Sequence, residues 1–293
     1  MKKDKVIISI CSRQFNQKLL KLLIFLKKNI IVSHLNLIVI IVVNNKKKLN
    51  KAEQKIISKI LHNIHFKIIY EKKIGISHAR NKSLNYLNKS SYDYGCFLDD
   101  DCIIKSNFIK KHLQFIKINN CDIVGGPQLY KSKCSFLRVF ELNYKHSSEV
   151  FWVSTNNVFF KKSAILKNNY FSNAVTKYGF GEDQLFFSKL SIYGKKIMWN
   201  NNPVYEVIQK EREYFKWFLS RNLRYGLTGI LIDRDLYGNL NSYFLNIFKA
   251  CFNLLKSILF LLLIPLRSKV NFFKSIAFFL RFIGRILNII KIK

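Results

Sequence analysis

Acidic residues, glycine and proline are scarce in this chain of 293 residues. It holds 17 Asp and Glu against 50 Lys and Arg, and it has only 11 Gly and 3 Pro. So little Gly and Pro excludes collagen-like and low-complexity chains. A hydrophobic content of 49% excludes a mainly disordered chain, because disordered chains lack that much apolar side chain. Since acids are rare, a cluster of carboxylates indicates a site more strongly here than in an average protein.

Paired cysteines are also missing. None of the six cysteines forms a C-x-x-C pair, so we do not expect a zinc site of the usual spacing. No long apolar segment follows residues 1–5, and we therefore expect no secretory signal. Free thiols in a reducing cytosol follow as the expected state of the cysteines.

The formal net charge of +33 is compatible with nucleic acid, an anionic membrane or an anionic substrate as partner. Most of the basic residues are lysine, and the chain is rich in Ile and Asn, which is the composition that an AT-rich genome produces. We attribute about half of the excess charge to that bias. The basic residues are scattered and no nucleic-acid-binding motif is recognisable, so nucleic acid is not expected as the partner, although a basic nucleic-acid-binding protein stays an alternative.

The first half of the chain alternates apolar, β-branched runs with segments of helical periodicity. Strands are predicted at residues 6–10, 35–43, 66–70, 94–98 and 123–124. Helices are predicted at residues 16–28, 52–61, 77–87 and 106–118, with Asn16 and Ser106 as N-caps. This alternation predicts an α/β fold with a mostly parallel sheet flanked by helices.

The second half is less regular. We expect strands at residues 150–160, 197–199 and 204–207, and helices at residues 182–191, ending near Gly194, and 211–225. In a parallel sheet, ligands bind beyond the carboxyl ends of the strands. Residues 12–14, 44–45 and 99–101 are therefore predicted to converge on one edge.

The end of the chain has no acidic residue after Asp235. Polar and basic residues share single helical faces: Asn246, Lys249, Asn253 and Lys256, and then Lys274, Arg281, Arg285 and Asn288. A wide apolar face with a narrow basic stripe predicts amphipathic helices that lie on a membrane surface through residues 243–290. The apolar stretch 257–266 is too short to span a bilayer. The alternative is a pair of core helices that pack back on the domain.

Three segments carry the chemistry. Asp99, Asp100 and Asp101 follow a buried strand, where adjacent like charges repel one another unless a cation or ligand compensates them. One or two carboxylates together with phosphates and water are a usual setting for Mg²⁺ or Mn²⁺. The alternative is a solvated acidic turn that caps the next helix.

The second segment is residues 179–183 (GFGED), in which a carboxylate facing a pocket can act as a general base. Acids also favour any helix start, so this segment alone is ambiguous. The third is residues 75–81 (GISHARN), a glycine turn and helix start that suits an anionic group.

Five segments in this order resemble the family 2 glycosyltransferases. Residues 8–14 resemble the first strand and its T-R-N-R turn, and residues 75–81 resemble G-x-s-x-A-R-N. Residues 97–101 resemble the D-x-D region, residues 155–162 (TNNVFFKK) resemble g-x-N-x-a-f-R-R, and residues 181–183 resemble G-E-D. The resemblance covers roughly residues 5–230, and five ordered motifs are far more specific than one.

The resemblance implies a GT-A fold, a nucleotide-diphospho-sugar donor, a Mn²⁺ or Mg²⁺ cofactor on the diphosphate, and inverting transfer to an acceptor hydroxyl. It implies donor contacts from Ser12, Arg13, Asn44, Arg80, Asp99 and Asp100. It further implies Asp101 as metal ligand, Asn157 and Glu182 in the acceptor and sugar pocket, and Asp183 as general base. The corresponding division is a nucleotide-sugar-binding half at 1–125, an acceptor-binding half at 126–238, and membrane-associating helices at 239–293.

Two departures from the family pattern limit what is implied. Asn44 and Asn45 stand where the family usually has an aspartate that contacts the base, so the base stays open. The nearest segment to the Q-x-x-R-W motif of processive synthases is residues 221–225 (RNLRY), and we therefore expect single sugar additions.

The expected acceptor is a lipid-linked or cell-envelope glycan, as in polysaccharide biosynthesis, and the expected location is the cytoplasmic, inner face of the cell membrane. An inactive GT-A-like membrane scaffold is an alternative. A nucleotidyltransferase is another, although it usually needs a glycine-rich loop that residues 11–16 lack.

Overall fold

The computed structural model describes residues 3–29, 35–105, 107–265 and 268–290, with nothing described of the side chains of Asn29 and Ser268. The predicted N-cap Ser106 lies outside these residues. The chain forms two compact units: the first is Met1–Leu129, Leu142–Asn173 and Phe186–Glu206, and the second is Tyr130–Glu141, Ala174–Leu185 and Val207–Lys293. The predicted division at residues 125 and 238 separates the chain according to which substrate each part would bind. The two compact units do not test it, so it stays a prediction.

The first unit is built on a seven-stranded sheet in the order β3-β2-β1-β4-β8-β6-β9. Its strands are β1 (Asp4–Ser12), β2 (Leu35–Val43), β3 (His65–Tyr70), β4 (Tyr94–Asp99), β6 (Ile123–Gly125), β8 (Val158–Lys161) and β9 (Ile197–Trp199). All neighbours are parallel except β8, which runs antiparallel to both β4 and β6. A three-stranded sheet has the order β5-β10-β7, with β5 (Cys102–Ile104), β7 (Gln128–Tyr130) and β10 (Val204–Glu206). The predicted α/β class with a mostly parallel sheet is confirmed.

Helices follow the strands as the sequence predicts. They are α1 (Gln17–Asn29), α2 (Lys51–Ile60), α3 (Ile76–Lys89), α4 (Phe108–Ile118) and α5 (Glu182–Ile192). Asn16 caps α1, since its Oδ1 accepts a hydrogen bond from the Leu19 amide at 2.9 Å. Helix α5 ends before Gly194, whose φ of +76° belongs to the left-handed region that glycine adopts without strain.

The sheet buries apolar side chains on both faces. Val6, Ile8 and Ile10 of β1 pack into one hydrophobic cluster, and Ile7 packs into the other. Strand β2 divides its side chains in the same way. A parallel strand buried on both faces needs a nearly continuous apolar run, which is the pattern of residues 35–43.

Two sequence-based boundaries are wrong. The strand expected at 150–160 is confined to Val158–Lys161, because residues Thr155–Asn157 form a 3₁₀ turn. The side-chain amide of Asn157 donates hydrogen bonds from this turn to the carbonyls of Pro127 and Asn202. The helix expected at 211–225 is a 3₁₀ turn at Lys210–Glu213 followed by α6 (Phe215–Tyr237). Helix α6 continues twelve residues beyond the predicted end at residue 225 and includes Gly226 and Gly229.

In the second unit, α6 packs against α7 (Asn239–Leu262) and α8 (Ser268–Ile290). Helices α6 and α8 meet at Gly226 and Gly284: a Cβ on Gly226 would lie 2.8 Å from the Gly284 Cα, and a Cβ on Gly284 would lie 2.9 Å from the Gly226 Cα. Only residues without a side chain allow two helix backbones to approach so closely.

Part of the polar stripe of α7 and α8 faces the interior of the second unit. Asp233 of α6 is 4% exposed and binds Lys249 of α7 at 2.6 Å and Arg285 of α8 at 3.3 Å. Arg285 also donates to Asn246, and Asn288 donates to the Leu227 carbonyl at 2.6 Å. The sequence therefore identified residues that share a face, and the structure shows that this face holds the helices together.

The opposite side of α7 is apolar and exposed. Its side chains that are more than half exposed are Leu240, Phe244, Phe248, Leu255, Leu259, Leu261 and Leu262. By length and composition, α7 is the one helix among the described residues that suffices to cross a bilayer, with a mean hydropathy of 1.6 in its most apolar window, of which 17% is buried. Residues 257–266, the only ones counted from the sequence, form a stretch too short to span a bilayer. Helix α7 is long enough because its apolar character continues on the N-terminal side of Lys256.

The close approach at Gly284 predicts a strong effect of added bulk. We expect Gly284→Val to lower the free energy of unfolding by about 1–3 kcal/mol, because the new side chain would overlap the Leu223 carbonyl oxygen of α6. Cys251→Val adds bulk at an exposed position of α7 and should leave stability nearly unchanged. Urea unfolding curves of both variants test this, and an unaltered midpoint for Gly284→Val would contradict the packing.

Candidate functional site

The first group of site residues lies at the carboxyl ends of three neighbouring parallel strands. Ser12 ends β1, and its carbonyl oxygen accepts a hydrogen bond from the Asn44 amide, which follows β2, at 2.8 Å. Asp99 ends β4 and pairs in register with Cys11 of β1. The predicted convergence of residues 12–14, 44–45 and 99–101 on one edge is therefore confirmed.

Asp99 faces a buried arginine. The Nη2 of Arg80 lies 3.4 Å from the Asp99 Oδ1, and the Arg80 guanidinium lies over the Phe171 ring at 5.6 Å. Arg80 is only 5% exposed, whereas the Asp99 side chain is 37% exposed. Helix α3 and Phe171 thus hold a cation at the strand end while the carboxylate beside it stays accessible to a ligand.

Asp100 is tied to the loop after β1. It accepts hydrogen bonds from the Ser12 hydroxyl and, at 3.5 Å, from the Asn16 side chain. Burial raises the pKa of Asp100 above its ordinary value, the Ser12 hydrogen bond opposes that rise, and the Asp99 charge adds to it. Ser12 and Asp100 therefore fix the loop 12–16 against the end of β4.

Asp101 faces a lysine. Its side chain is 11% exposed, and the Lys18 Nζ of helix α1 lies 3.8 Å from its Oδ2. That Nζ is buried and has no hydrogen-bond partner among the described residues. The Asp101 carboxylate offers oxygen ligands of the kind that a hard divalent ion takes, and Lys18 faces one of these oxygens in this structure.

No group of three or more His, Cys, Asp or Glu in the described part of the chain is placed to hold a metal ion by itself. Asp99 and Asp101 follow the same strand end and offer oxygen ligands. They fit a divalent ion that takes one or two carboxylates from the protein and the rest of its ligands from phosphates and water.

Asn44 is committed to the loop before α3. Its two amide hydrogens go to the carbonyls of Glu71, at 3.1 Å, and Lys73, at 2.7 Å, and its Oδ1 accepts from the Gly75 amide at 2.8 Å. Gly75 has a φ of +144° and begins the turn into α3. Asn44 thus positions the helix that carries Arg80, and one lone pair of its Oδ1 is left for a ligand. Arg13 is exposed near this edge.

Asn157 is 1% exposed and all of its described contacts are internal. It donates to the carbonyls of Pro127 and Asn202, each at 2.9 Å, and its Oδ1 lies 3.1 Å from the His112 Nε2. These bonds hold the loop 125–127 at the end of β6, where a Cβ on Gly126 would lie 2.7 Å from the Asn157 amide. Its role in the acceptor and sugar pocket stays a prediction.

Glu182 and Asp183 belong to the second unit. Gly179 and Gly181 precede them with φ values of +90° and +108°, and a Cβ on Gly181 would lie 2.6 Å from the Thr228 methyl group of α6. Glycine is thus required for the loop to lie against α6. Glu182 is buried, and Asp183 is half-buried in the first turn of α5.

The sequence did not identify three side chains of these sites. Lys18 and Phe171 contact the acidic edge from α1 and from a loop, and His112 supports Asn157 from α4. Lys18 lies two residues after Asn16, so the predicted cap already indicated that Lys18 stands in the first turn of a helix. Phe171 and His112 come from distant parts of the chain, and no local pattern indicates them.

The arrangement in the first unit suits an anionic ligand that brings its own phosphates. Arg80 provides one fixed positive charge, and Asp99 and Asp101 provide carboxylates for a metal ion or for hydroxyl groups. Cys11, which lies beneath, is not a nucleophile, because burial raises the pKa of its thiol to about 12.

The chain is similar to known proteins in sequence and in fold. The sequence model described as glycosyl transferase family 2 matches residues 6–178. No curated protein is similar enough in sequence to be matched.

Among solved structures, the mannosyltransferase PcManGT from Pyrobaculum calidifontis, in complex with GDP-Man and Mn²⁺, is similar over 100% of this chain and 88% of its own, at 12% identity and a TM-score of 0.61. Residues 1–349 of S. aureus TarS are similar over 96% of this chain and 90% of that one, at 13% identity and a TM-score of 0.53. A longer TarS structure matches 83% of this chain, which spans 44% of that one, at 17% identity and a TM-score of 0.51. At these identities the structures show a shared fold.

The buried His112 predicts a pH dependence of stability. Burial lowers its pKa to about 4, whereas the unfolded chain would protonate near the ordinary value of 6.5. Its contribution is complete above the unfolded pKa and is lost as the pH falls through the folded pKa. The free energy of unfolding should fall between pH 7 and pH 4 in the unaltered protein, and it should fall by about 1–3 kcal/mol less in His112→Gln. Urea unfolding of both proteins at several pH values measures it, and parallel pH profiles would contradict it.

Proposed function

Because the chain belongs to family 2 of the glycosyl transferases, we propose that it moves a single sugar from a nucleotide-diphospho-sugar to a hydroxyl of a lipid-linked or cell-envelope glycan, with inversion. Nucleotide-sugar glycosyl transfer is the activity that goes with this family and with the GT-A fold of its structural neighbours. The observation that carries the finer proposal is the pairing of buried Arg80 with accessible Asp99 at the carboxyl ends of parallel strands.

The proposed donor site uses the edge of the first unit. Its residues are Ser12, Arg13, Asn44, Arg80, Asp99 and Asp100. Arg80 would balance the negative charge of the nucleotide, and Asp99 would accept hydrogen bonds from its hydroxyl groups. Ser12, Asn44 and Asp100 act mainly by positioning, because their described hydrogen bonds hold the loops that frame the site.

Asp101, with Asp99 beside it, would hold the divalent cation. A bound Mn²⁺ or Mg²⁺ supplies positive charge that stabilises a departing diphosphate. The structure of PcManGT in complex with GDP-Man and Mn²⁺ supports such an ion in this fold. Lys18, which now faces Asp101 at 3.8 Å, would have to move aside or share the carboxylate.

Asp183 is the proposed general base. It would take the proton of the acceptor hydroxyl, whose oxygen then bonds to the anomeric carbon while the bond from that carbon to the diphosphate oxygen breaks. Attack from the face opposite to the diphosphate inverts the anomeric centre. Glu182, buried before Asp183, and Asn157 are the proposed residues of the acceptor and sugar pocket.

The proposed partner of residues 243–290 is a membrane. The exposed face of α7 is apolar, whereas its polar side chains Lys249 and Asn246 contact Asp233 of α6 and Arg285 of α8. Exposed apolar area of this kind favours contact with lipid or protein, and the absence of acids after Asp235 favours an anionic surface. We place the enzyme at the cytoplasmic, inner face of the membrane, with which its six free cysteines agree.

The donor site predicts metal-dependent nucleotide binding. We expect one of UDP, GDP, dTDP and CDP to raise the thermal unfolding temperature in the presence of Mn²⁺, because a ligand that binds only the folded state stabilises it. Asp101→Ala should abolish the shift.

The matched control is Asp183→Asn, which should retain the nucleotide shift and lose sugar transfer, since it removes the base and leaves the donor site intact. No shift with any nucleotide in folded protein would reject the transferase and favour the inactive scaffold.

The apolar face of α7 predicts binding to vesicles. Phe248→Gln combined with Leu255→Gln should weaken flotation with vesicles of mixed anionic and zwitterionic lipid by about tenfold or more, because each side chain contributes roughly 1.5–3 kcal/mol when buried. Asn241→Gln, an exposed polar position of α7, is the control and should float as the unaltered protein does. Equal flotation of all three proteins would exclude α7 as the contact.

A further inference from the structure

The second unit gathers arginines on α6 and α8, although the chain uses lysine for most of its positive charge. Arg221 and Arg224 lie one turn apart on α6, and the Arg281 guanidinium of α8 lies 5.2 Å from the ring centre of Tyr225 on α6. We call Arg221, Arg224 and Arg281 the arginine cluster. The role inferred below for this cluster rests on the proposed function, because it concerns which chemical group of the acceptor the cluster binds.

Aromatic rings enclose Arg221. Its guanidinium carbon lies 5.0–5.4 Å from four ring centres: Phe140, Phe180, Trp217 and Tyr225. Its Nε and Nη2 donate to the Tyr225 hydroxyl at 3.2 and 3.0 Å. Rings against the guanidinium hold its plane in a fixed direction and shield it from water, which strengthens hydrogen bonds from its edge.

The charges in the cluster oppose one another. Burial lowers the pKa of Arg224, and the charge of Arg221 lowers it further. Burial also lowers the pKa of Arg281, with Tyr225 opposing that change and the charges of Arg221 and Arg285 adding to it. The carboxylate of Asp233 pairs with Lys249 and Arg285 instead. Neighbouring like charges are relieved when an anion binds between them.

The cluster adjoins the loop that carries the proposed base. The Arg224 Nη1 donates to the Tyr178 carbonyl at 3.3 Å, and a Cβ on Gly179 would lie 3.4 Å from the same nitrogen. The Phe180 ring lies 4.4 Å from the Tyr225 ring, centre to centre. Residues 178–181 therefore connect the arginines of α6 directly to Glu182 and Asp183, within one unit.

We propose that Arg221 and Arg224 bind a phosphate or diphosphate group of the acceptor, and that this acceptor is a lipid phosphate whose apolar chain lies along the exposed face of α7. Guanidinium forks match phosphate oxygens in a way that lysine does not, which explains arginine at these positions in a lysine-rich chain. The phosphate then fixes the acceptor so that its reacting hydroxyl reaches Asp183.

The test is calorimetric titration of the full chain with n-octyl phosphate, below its micelle concentration, with uncharged n-octyl glucoside as the control ligand. We expect saturable binding of the phosphate only, competed by inorganic pyrophosphate. Arg224→Gln and Arg221→Gln should each weaken it by about tenfold to a hundredfold, as expected for the loss of a charge-assisted hydrogen bond. Arg234→Gln removes the same charge from an exposed position of α6 and should have no effect.

Two further measurements keep the proposal falsifiable. Arg224→Lys, which retains the charge and the fold, should bind with an affinity between those of the unaltered protein and Arg224→Gln. All variants should keep the metal-dependent shift with nucleotide, which reports the donor site separately.

Equal binding of octyl phosphate by Arg224→Gln and the unaltered protein, or equal binding of octyl glucoside, would overturn the assignment. Loss of the nucleotide shift in folded Arg224→Gln would also overturn it, since the cluster would then serve the donor. Nucleotide binding without octyl phosphate binding rejects this inference alone, whereas the reverse result rejects the proposed transferase.

Discussion

Three adjacent carboxylates at the end of β4 are the constraint around which the first unit is arranged. Each is balanced by a different element: Asp99 by Arg80 of α3, Asp100 by the loop after β1, and Asp101 by Lys18 of α1. Their mutual repulsion is thereby converted into contacts between the end of β4 and the first and third helices. A ligand that brings a cation would replace some of these contacts, so the same charges serve both folding and binding.

The sequence predicted a strand best where its residue pattern is compatible with only one structural environment. The run 35–43 is apolar throughout and coincides with β2, since only a strand buried on both faces requires it. The segment 150–160 misled because it has apolar residues at both ends, VFWV and VFF, while the polar residues between them include Asn157, whose side chain bonds with loops far away in sequence. The predicted helix 211–225 stops short of Gly226 and Gly229, which lie inside α6 where α8 approaches.

The candidate site was predictable in its charged residues and unpredictable in their partners. The sequence located Asp99 and Asp101 at the end of a strand and Arg80 in the helix after Gly75, because the order of strands and helices fixes the carboxyl edge of a parallel sheet. Spacing carried no information about Lys18, which faces Asp101, or about the internal hydrogen bonds of Asn44. Whether a side chain supports a loop or faces a ligand depends on tertiary contacts, which a motif does not encode.

Around α7 the second unit encloses polar side chains and exposes apolar ones. Asp233, Asn246 and Arg285 are enclosed, while Phe248 and Leu255 are exposed. In water, an enclosed ion pair contributes little to stability, and exposed apolar side chains forgo the free energy of burial. In the proposed contact with acyl chains, the exposed apolar side chains would carry no such penalty, and buried polar groups with a glycine crossing would be the contacts that hold the helices together. Helical periodicity identifies which residues share a face, but whether that face is buried against other helices or exposed follows only from the packing.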